Sequence, residues 1–292
     1  MDARQRNDLA GVGWMVLTGL LFVAFNASVK IFGQGLPAAQ SAFIRFAVGA
    51  IFVAPLLPRI LRDGLPHGSL PLFGLRAVLH IVGVVLWFYA MTRIPIAEVT
   101  AINFLNPVAA TLGAVLFLRE PLSPPRAVAI LVALGGALLI LRPGMRGLDL
   151  GHLAQVTSSV LVGLSYLVAR NLAQKIPAEV VVAVMTLTVT AGLLPFALAV
   201  WQPMGWGQLA GLALVALIAT LGHYAMTRAF AVAPMAVTQP VTFLQLIWAS
   251  LMGVAVFHEP LDPMVLLGGA IIIAAISFIT WRETRVAQRM VQ

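Results

Sequence analysis

AEVTAINFLNPVAATLGAVLFLREPL, residues 97–122, is the stretch on which the fold turns. It stays apolar for roughly the 20 residues that a helix needs to cross about 30 Å of hydrocarbon. It carries Asn103 and Asn106 three apart on one helical face, and it stops at the turn Glu120-Pro121-Leu122. Moving on by 139 positions brings up the same turn, Glu259-Pro260-Leu261, and a proline follows each, Pro124 and Pro263. At that shift Ala90, Pro95, Phe104, Leu105, Val115 and Ile140 meet Ala229, Pro234, Phe243, Leu244, Val254 and Ile279. A shift of 140 sets Lys30 on Arg170 and Asn26 on Tyr166. The chain therefore reads as two copies of one unit.

Working outward, apolar spans are expected near 9–31, 37–57, 70–92, 95–118 and 125–141, and again near 151–171, 178–201, 207–231, 234–256 and 263–281. Short polar or Pro/Gly breaks separate them, as closely packed antiparallel helices require. The expected fold is an all-α polytopic membrane protein of ten transmembrane helices, a single membrane domain over 1–292. Repeat one covers about 9–141 and repeat two about 151–281. Composition agrees: 61% of residues are hydrophobic, 10% are charged and mean hydropathy is +0.99. Soluble domains run nearer half apolar and a quarter charged, so the bilayer is the solvent that suits this chain. The start, MDARQRND, leads into a run of full spanning length, unlike a cleavable signal.

The net charge of +8 is spread as single Arg and Lys residues at span ends, which is membrane topology rather than nucleic-acid binding. With the N-terminus inside, the inner ends hold Arg4, Arg6, Arg59, Arg62, Arg119, Arg126, Arg170, Lys175, Arg228, Arg282, Arg285 and Arg289. The outer ends hold only Lys30, Arg93, Arg142 and Arg146. This asymmetry places both termini in the cytoplasm of a bacterial-type cell, with the chain in the inner membrane. Five spans per half is an odd number, so the second half enters the membrane upside down. Inverted repeats of this kind are the architecture of many alternating-access transporters.

Five-plus-five spans, the Glu-Pro-Leu turn after the fourth span of each half, and the run 97–122 resemble the drug/metabolite transporter superfamily, EamA type, over nearly the whole chain. The first span reads LLFVAFNASVK at 20–30, where the family usually has Trp-Gly. The resemblance implies a carrier that exports small organic solutes, most like the aromatic amino-acid exporters. Its expected partners are a small-molecule substrate and the lipid bilayer. The assembly expected is a monomer or a homodimer.

Polar side chains in hydrocarbon need a partner or water, which makes them candidates for a pathway. In span four these are Asn103 and Asn106; in span nine the repeat sets Thr242 and Gln245 at the same places. Asn26 and Tyr166 form a similar pair on spans one and six. His80, Trp87 and Tyr89 on span three, His223 and Tyr224 on span eight, and Trp248 on span nine complete the candidate cavity lining, a mix suited to an amphipathic solute. Interhelical hydrogen bonding is the structural alternative for the polar residues and histidines, and lipid-facing or interfacial placement for the aromatic ones. Arg45, Arg76 and Glu98 are the charges within spans; Arg45 either pairs with Glu98 or snorkels outward. Pro107, Pro195 and Pro240 favour kinks. Pro95, Glu98, Pro107, Pro234 and Pro240 are candidate gate or hinge positions. Small residues such as Gly136 and Gly268 on spans five and ten permit close helix packing.

Enzymatic chemistry finds no support: there is no HExxH, GxSxG or phosphate-binding glycine loop, and no cysteine. No cofactor and no metal site are expected. A channel-like facilitator shares the bundle but usually assembles charged or carbonyl rings, and inverted halves favour a carrier.

Overall fold

The computed structural model describes residues 3–66, 68–119, 122–143, 145, 147–173, 175–232, 241 and 243–290. Among these, every regular element is a helix. Seven stretches are long and apolar enough to cross a membrane: Leu9–Phe32, Ala38–Asp63, Leu70–Met91, Ile96–Phe117, Leu150–Ala169, Glu179–Ala199 and Trp206–Met226. Three shorter apolar helices, Ala127–Leu141, Leu244–Phe257 and Pro263–Ile279, stand where spans five, nine and ten were expected.

The helices are α1 (Ala3–Phe32), α2 (Ala38–Val53) continuing through a 3₁₀ turn into α3 (Leu57–Asp63), α4 (Leu70–Met91), α5 (Ile96–Asn103), α6 (Asn106–Phe117) and α7 (Pro124–Leu141). The rest are α8 (Leu150–Ala173), α9 (Ala178–Ala199), α10 (Trp206–Val232), α11 (Phe243–Phe257) and α12 (Pro263–Met290). Pro37, Pro95 and Pro177 each stand just before a helix, with φ of −56°, −57° and −53°. The ring pre-sets φ there, and the lost N–H is one that no helix end uses.

The fourth span is broken as Pro107 predicts. A proline cannot donate to the carbonyl four residues earlier, here Asn103, and its ring presses on that group. Helix α5 ends at Asn103 and α6 begins at Asn106. Between them Phe104 and Leu105 tighten onto the Ala101 and Ile102 carbonyls, at 3.2 and 2.9 Å. With its amide turned to donate, Asn106 reaches the freed Asn103 carbonyl at 3.2 Å and that of Ser159 at 3.0 Å. This is how a backbone break survives at membrane depth. Pro195 behaves differently and lies inside an uninterrupted α9. Pro234, Pro240 and Thr242 lie outside the described residues.

Helix pairing sets the architecture. Helix α1 lies along α10 and α4 along α8, while α2 packs on α9 and α7 on α12. The last seam is a close one. A Cβ at Gly136 would stand 2.7 Å from the Gly268 carbonyl oxygen, and one at Gly268 would stand 2.6 Å from that of Gly136. The small residues on spans five and ten therefore let two backbones touch within one chain. A central apolar cluster, including Val29, Phe46, Met91, Ile96, Ile102, Ile140, Leu212 and Ile272, ties these pairs together.

Candidate functional site

Three polar regions follow one another through the bundle. The first closes one end. Lys30, near the end of α1, forms an ion pair with Glu259 just beyond α11, and it also donates to the Ile94 carbonyl at 3.0 Å. The second oxygen of Glu259 accepts the Ile96 N–H at 3.0 Å, one of the orphan donors at the start of α5. Glu98 lies one turn into the bundle and meets His152 Nε2 at 2.7 Å, both buried. Arg142 and Asp262 pair beside them. His258, whose φ is 54°, turns the chain after α11 and aims Glu259 inward. Space at this end is a recess of about 10 Å³ edged by Pro95, Ala97, Glu98, Gly253 and Glu259. That is room for about one water and for no solute.

The second region is the break in the fourth span, clamped by α8. Gln155 Nε2 donates to Asn103 Oδ1 at 2.9 Å, and Ser159 Oγ donates to the Ile102 carbonyl at 3.1 Å. Ser158 donates to the Gly83 carbonyl at 2.7 Å and so joins α4 to α8. Asn26 donates to Thr100 Oγ1 at 3.4 Å, linking α1 to α5. Gln155 is fully buried, and its Oε1 has no partner.

The third region is aromatic and cationic. Phe25 and Trp87 stack nearly parallel, 4° apart in plane with centroids 5.1 Å apart. The Arg45 guanidinium lies 4.0 Å from the Phe46 ring centre and 6.0 Å from that of Phe25. His80 meets Phe46 edge-on and Ser165 Oγ at 3.3 Å. One turn earlier on α4, Arg76 donates to the Val181 carbonyl at 2.9 Å, while its Nε–H has no partner. Both arginines are within electrostatic reach of His80 and Tyr166. Tyr166, near both arginines, is 47% exposed. His223 is also exposed there, with Nδ1 2.7 Å from the Ala219 carbonyl oxygen and its ring edge-on to Phe22.

The expected cavity residues thus divide. Asn26, Asn103 and Asn106 serve helix–helix bonds around the broken span. Trp87, His80, Tyr166 and His223 belong to the aromatic–cationic region, Trp87 as a buried member of the central cluster. Tyr89 lies under the Arg93 guanidinium, 4.3 Å away. Tyr224 is edge-on to Trp14 and accepts from Arg228 at 3.1 Å. Gln245 is half-buried beside Gly19. Trp248 is half-buried against the central cluster, and its indole N–H has no partner. Pro95 starts α5 and Pro107 divides the fourth span. Arg45 and Glu98, expected as a possible pair, have separate roles: Glu98 binds His152, and Arg45 stacks on aromatic rings.

Sequence reading singled out Tyr166 on α8 but passed over the rest of its stripe. His152, Gln155, Ser159 and Tyr166 fall at spacings of three, four and seven, one helical face. Ser158 and Ser165, seven apart, lie beside it. That periodicity was the available signal.

Polar groups gathered inside an apolar helical bundle, with one end closed by ion pairs, define a multi-pass membrane transporter of small solutes. The model of the EamA-like transporter family matches residues 9–142 and again 149–281, and the chain belongs to that family. It is similar to the riboflavin transporter of Vibrio cholerae serotype O1, at 30% identity over 98% of this chain and 97% of that one. It is equally similar to the riboflavin transporter of Rhizobium johnstonii, at 31% over 95% and 93%. The S-adenosylmethionine uptake transporter of Rickettsia conorii is 25% identical over 99% and 98%. The family and these relatives are transporters, not enzymes.

Proposed function

We propose that the chain is an alternating-access carrier of ten spans in two inverted halves, and that it moves flat aromatic solutes bearing a polar chain, riboflavin first among them. The double family match supports the two halves. So does backbone geometry: Arg119 and His258, 139 positions apart, share a φ of 54° just before the two Glu-Pro-Leu turns. Helix pairing supports a two-fold relation between the halves, and the odd number of spans in each makes that relation an inversion. Under an exchange of halves the α1–α10 contact becomes α8–α4, while α2–α9 and α7–α12 each map onto themselves. In this reading the chain lies in the inner membrane of a bacterial-type cell with both termini cytoplasmic. The Lys30–Glu259 end then faces outward, and the region of Arg45, His80 and Tyr166 is reached from the cytoplasm.

The observation that carries the substrate class is the Phe25–Trp87 stack beside the Arg45 guanidinium. A flat ring is held by aromatic faces and by guanidinium stacking. Relatives named for riboflavin and for S-adenosylmethionine fit this, since each solute joins a nitrogen heterocycle to a hydroxylated five-carbon chain. Export of aromatic or neutral amino acids is the second reading, favoured by a guanidinium positioned to meet a carboxylate.

Counterflow in proteoliposomes tests the reading. Trace riboflavin, followed by its fluorescence, is expected to enter vesicles preloaded with excess riboflavin, with saturation. Tryptophan and phenylalanine run in parallel separate the second reading. Flux of neither flavin nor aromatic amino acid overturns both, and flux without saturation points to a channel.

A further inference from the structure

Arg45 and Arg76 place two guanidinium groups inside the bundle, and the carboxylates whose side chains are described are all engaged elsewhere. Asp63 and Glu179 pair with Arg59, Glu98 with His152, Glu259 with Lys30 and Asp262 with Arg142. Asp149 accepts the Gly151 N–H. Among the described side chains, then, no carboxylate faces either arginine. Arg76 is 5% exposed, its Nε–H is orphaned, and its guanidinium donates to the neutral Val181 carbonyl. Arg45 is half-buried and rests on ring faces.

Geometry joins the two. Arg45 touches Phe46, Phe46 touches His80, and His80 sits one α-helical turn from Arg76. Accessible Tyr166, next to the Ser165 that meets His80, completes the lining. An unpaired cation in a low-dielectric interior is costly unless an anion joins it. A guanidinium is also the side chain best shaped to take a carboxylate or phosphoryl group through two parallel bonds.

We propose that Arg45 and Arg76 form a subsite for an anionic group on the transported solute, so that a flat aromatic ring carrying a carboxylate or phosphoryl group is preferred over its neutral counterpart. The aromatic half of this assignment rests on the substrate reading above; the anionic half does not. Cationic solutes are accordingly disfavoured and anionic ones favoured.

The test uses the full-length protein in nanodiscs and two matched pairs of probes. Riboflavin and riboflavin 5′-phosphate share a ring and differ in charge; indole-3-acetamide and indole-3-acetate do the same for a carboxylate. Binding is read from flavin or indole fluorescence. The anionic member is expected to bind at least about tenfold tighter, the factor that 1.4 kcal/mol of charge-assisted bonding represents. Arg76→Gln is expected to erase that ratio while neutral binding changes little. Arg45→Gln is expected to erase it while also weakening neutral binding, because its guanidinium lies on the ring faces, and Arg45→Lys is expected to keep part of the ratio. If Arg76→Gln fails to fold, the Arg45 variants carry the test. Equal affinity within both pairs, equal loss of both members on Arg→Gln, or no binding of any probe overturns the subsite. A charge preference in the indole pair with no flavin binding overturns the flavin reading and leaves the subsite standing.

Discussion

At one end of the bundle each half-buried charge has its opposite, Lys30 with Glu259 and Arg142 with Asp262, and the buried Glu98 carboxylate meets the His152 imidazole. Elsewhere in the bundle, Arg45 and Arg76 have aromatic faces and a carbonyl for company. The two regions differ because a charge inside a protein can be compensated permanently or conditionally. Permanent pairing gives a closed contact that costs several kcal/mol to break once one partner is gone. Conditional pairing leaves a demand that an arriving solute can meet. A carrier needs both, kept apart, so that occupying the site and opening the end are separate events that the helices must couple.

The largest expected effect lies at the paired end. Glu259→Gln removes the partner of a half-buried lysine and weakens the bond to the Ile96 N–H. Breaking such a pair costs about 3–5 kcal/mol, which shifts the balance between closed and open shapes by two orders of magnitude or more. The native chain has no cysteine, so a single cysteine in place of Ala97, at the edge of the small recess, reports the change cleanly. An impermeant thiol reagent added outside intact cells is expected to label it at least about tenfold faster in the Glu259→Gln background. An unchanged rate would remove the latch, and labelling only from the cytoplasmic side would reverse the orientation.

A smaller effect is expected from Gly253→Ala. The added Cβ would fall 2.6 Å from Glu259 Oε2, so the carboxylate must move off its partners while both charges remain. Overpacking of this kind costs about 1–3 kcal/mol. Labelling at position 97 is expected to lie between the native and Glu259→Gln rates. A rate equal to the native one would show that the Lys30–Glu259 pair shifts as a unit without loosening.

Much of this scaffold was legible in advance, for a physical reason. Span length, apolar composition and the repeated Glu-Pro-Leu turns are local properties, and the bilayer imposes them segment by segment. Pro107 foretold the broken span for the same reason, since its missing N–H acts only on Asn103. The latch was not legible. Lys30 and Glu259 stand 229 positions apart, and each alone looks like an ordinary charge at a span end. Arg45 and Arg76 were visible as charges inside spans. Whether a carboxylate or a ring faces them depends on helix rotation, which periodicity in uniformly apolar spans leaves undetermined. The rest of the α8 stripe was legible and overlooked, because serine and glutamine in a membrane helix draw less attention than histidine or tryptophan.

The finest distinction concerns Asn103 and Gln245, which the repeat sets at equivalent-looking polar stripes but which have different surroundings. Asn103 accepts from Gln155, a fully buried amide whose oxygen already lacks a partner. Asn103→Ala withdraws that acceptor, and an unsatisfied buried amide costs about 1–3 kcal/mol. The variant is expected to show a lower Tm, with any loss of transport following from the loosened break between α5 and α6. Replacing both partners by apolar groups is close to neutral, so Asn103→Ala with Gln155→Leu should regain most of the lost Tm. Gln245 is half-buried beside Gly19, and Gln245→Ala is expected to lower flux while leaving Tm near the native value. Measuring Tm and counterflow on all four proteins separates a group that holds the broken helix from one that meets the solute. Should the double variant recover stability but not flux, Asn103 or Gln155 also touches the solute, and the broken span belongs to the binding region rather than to its frame.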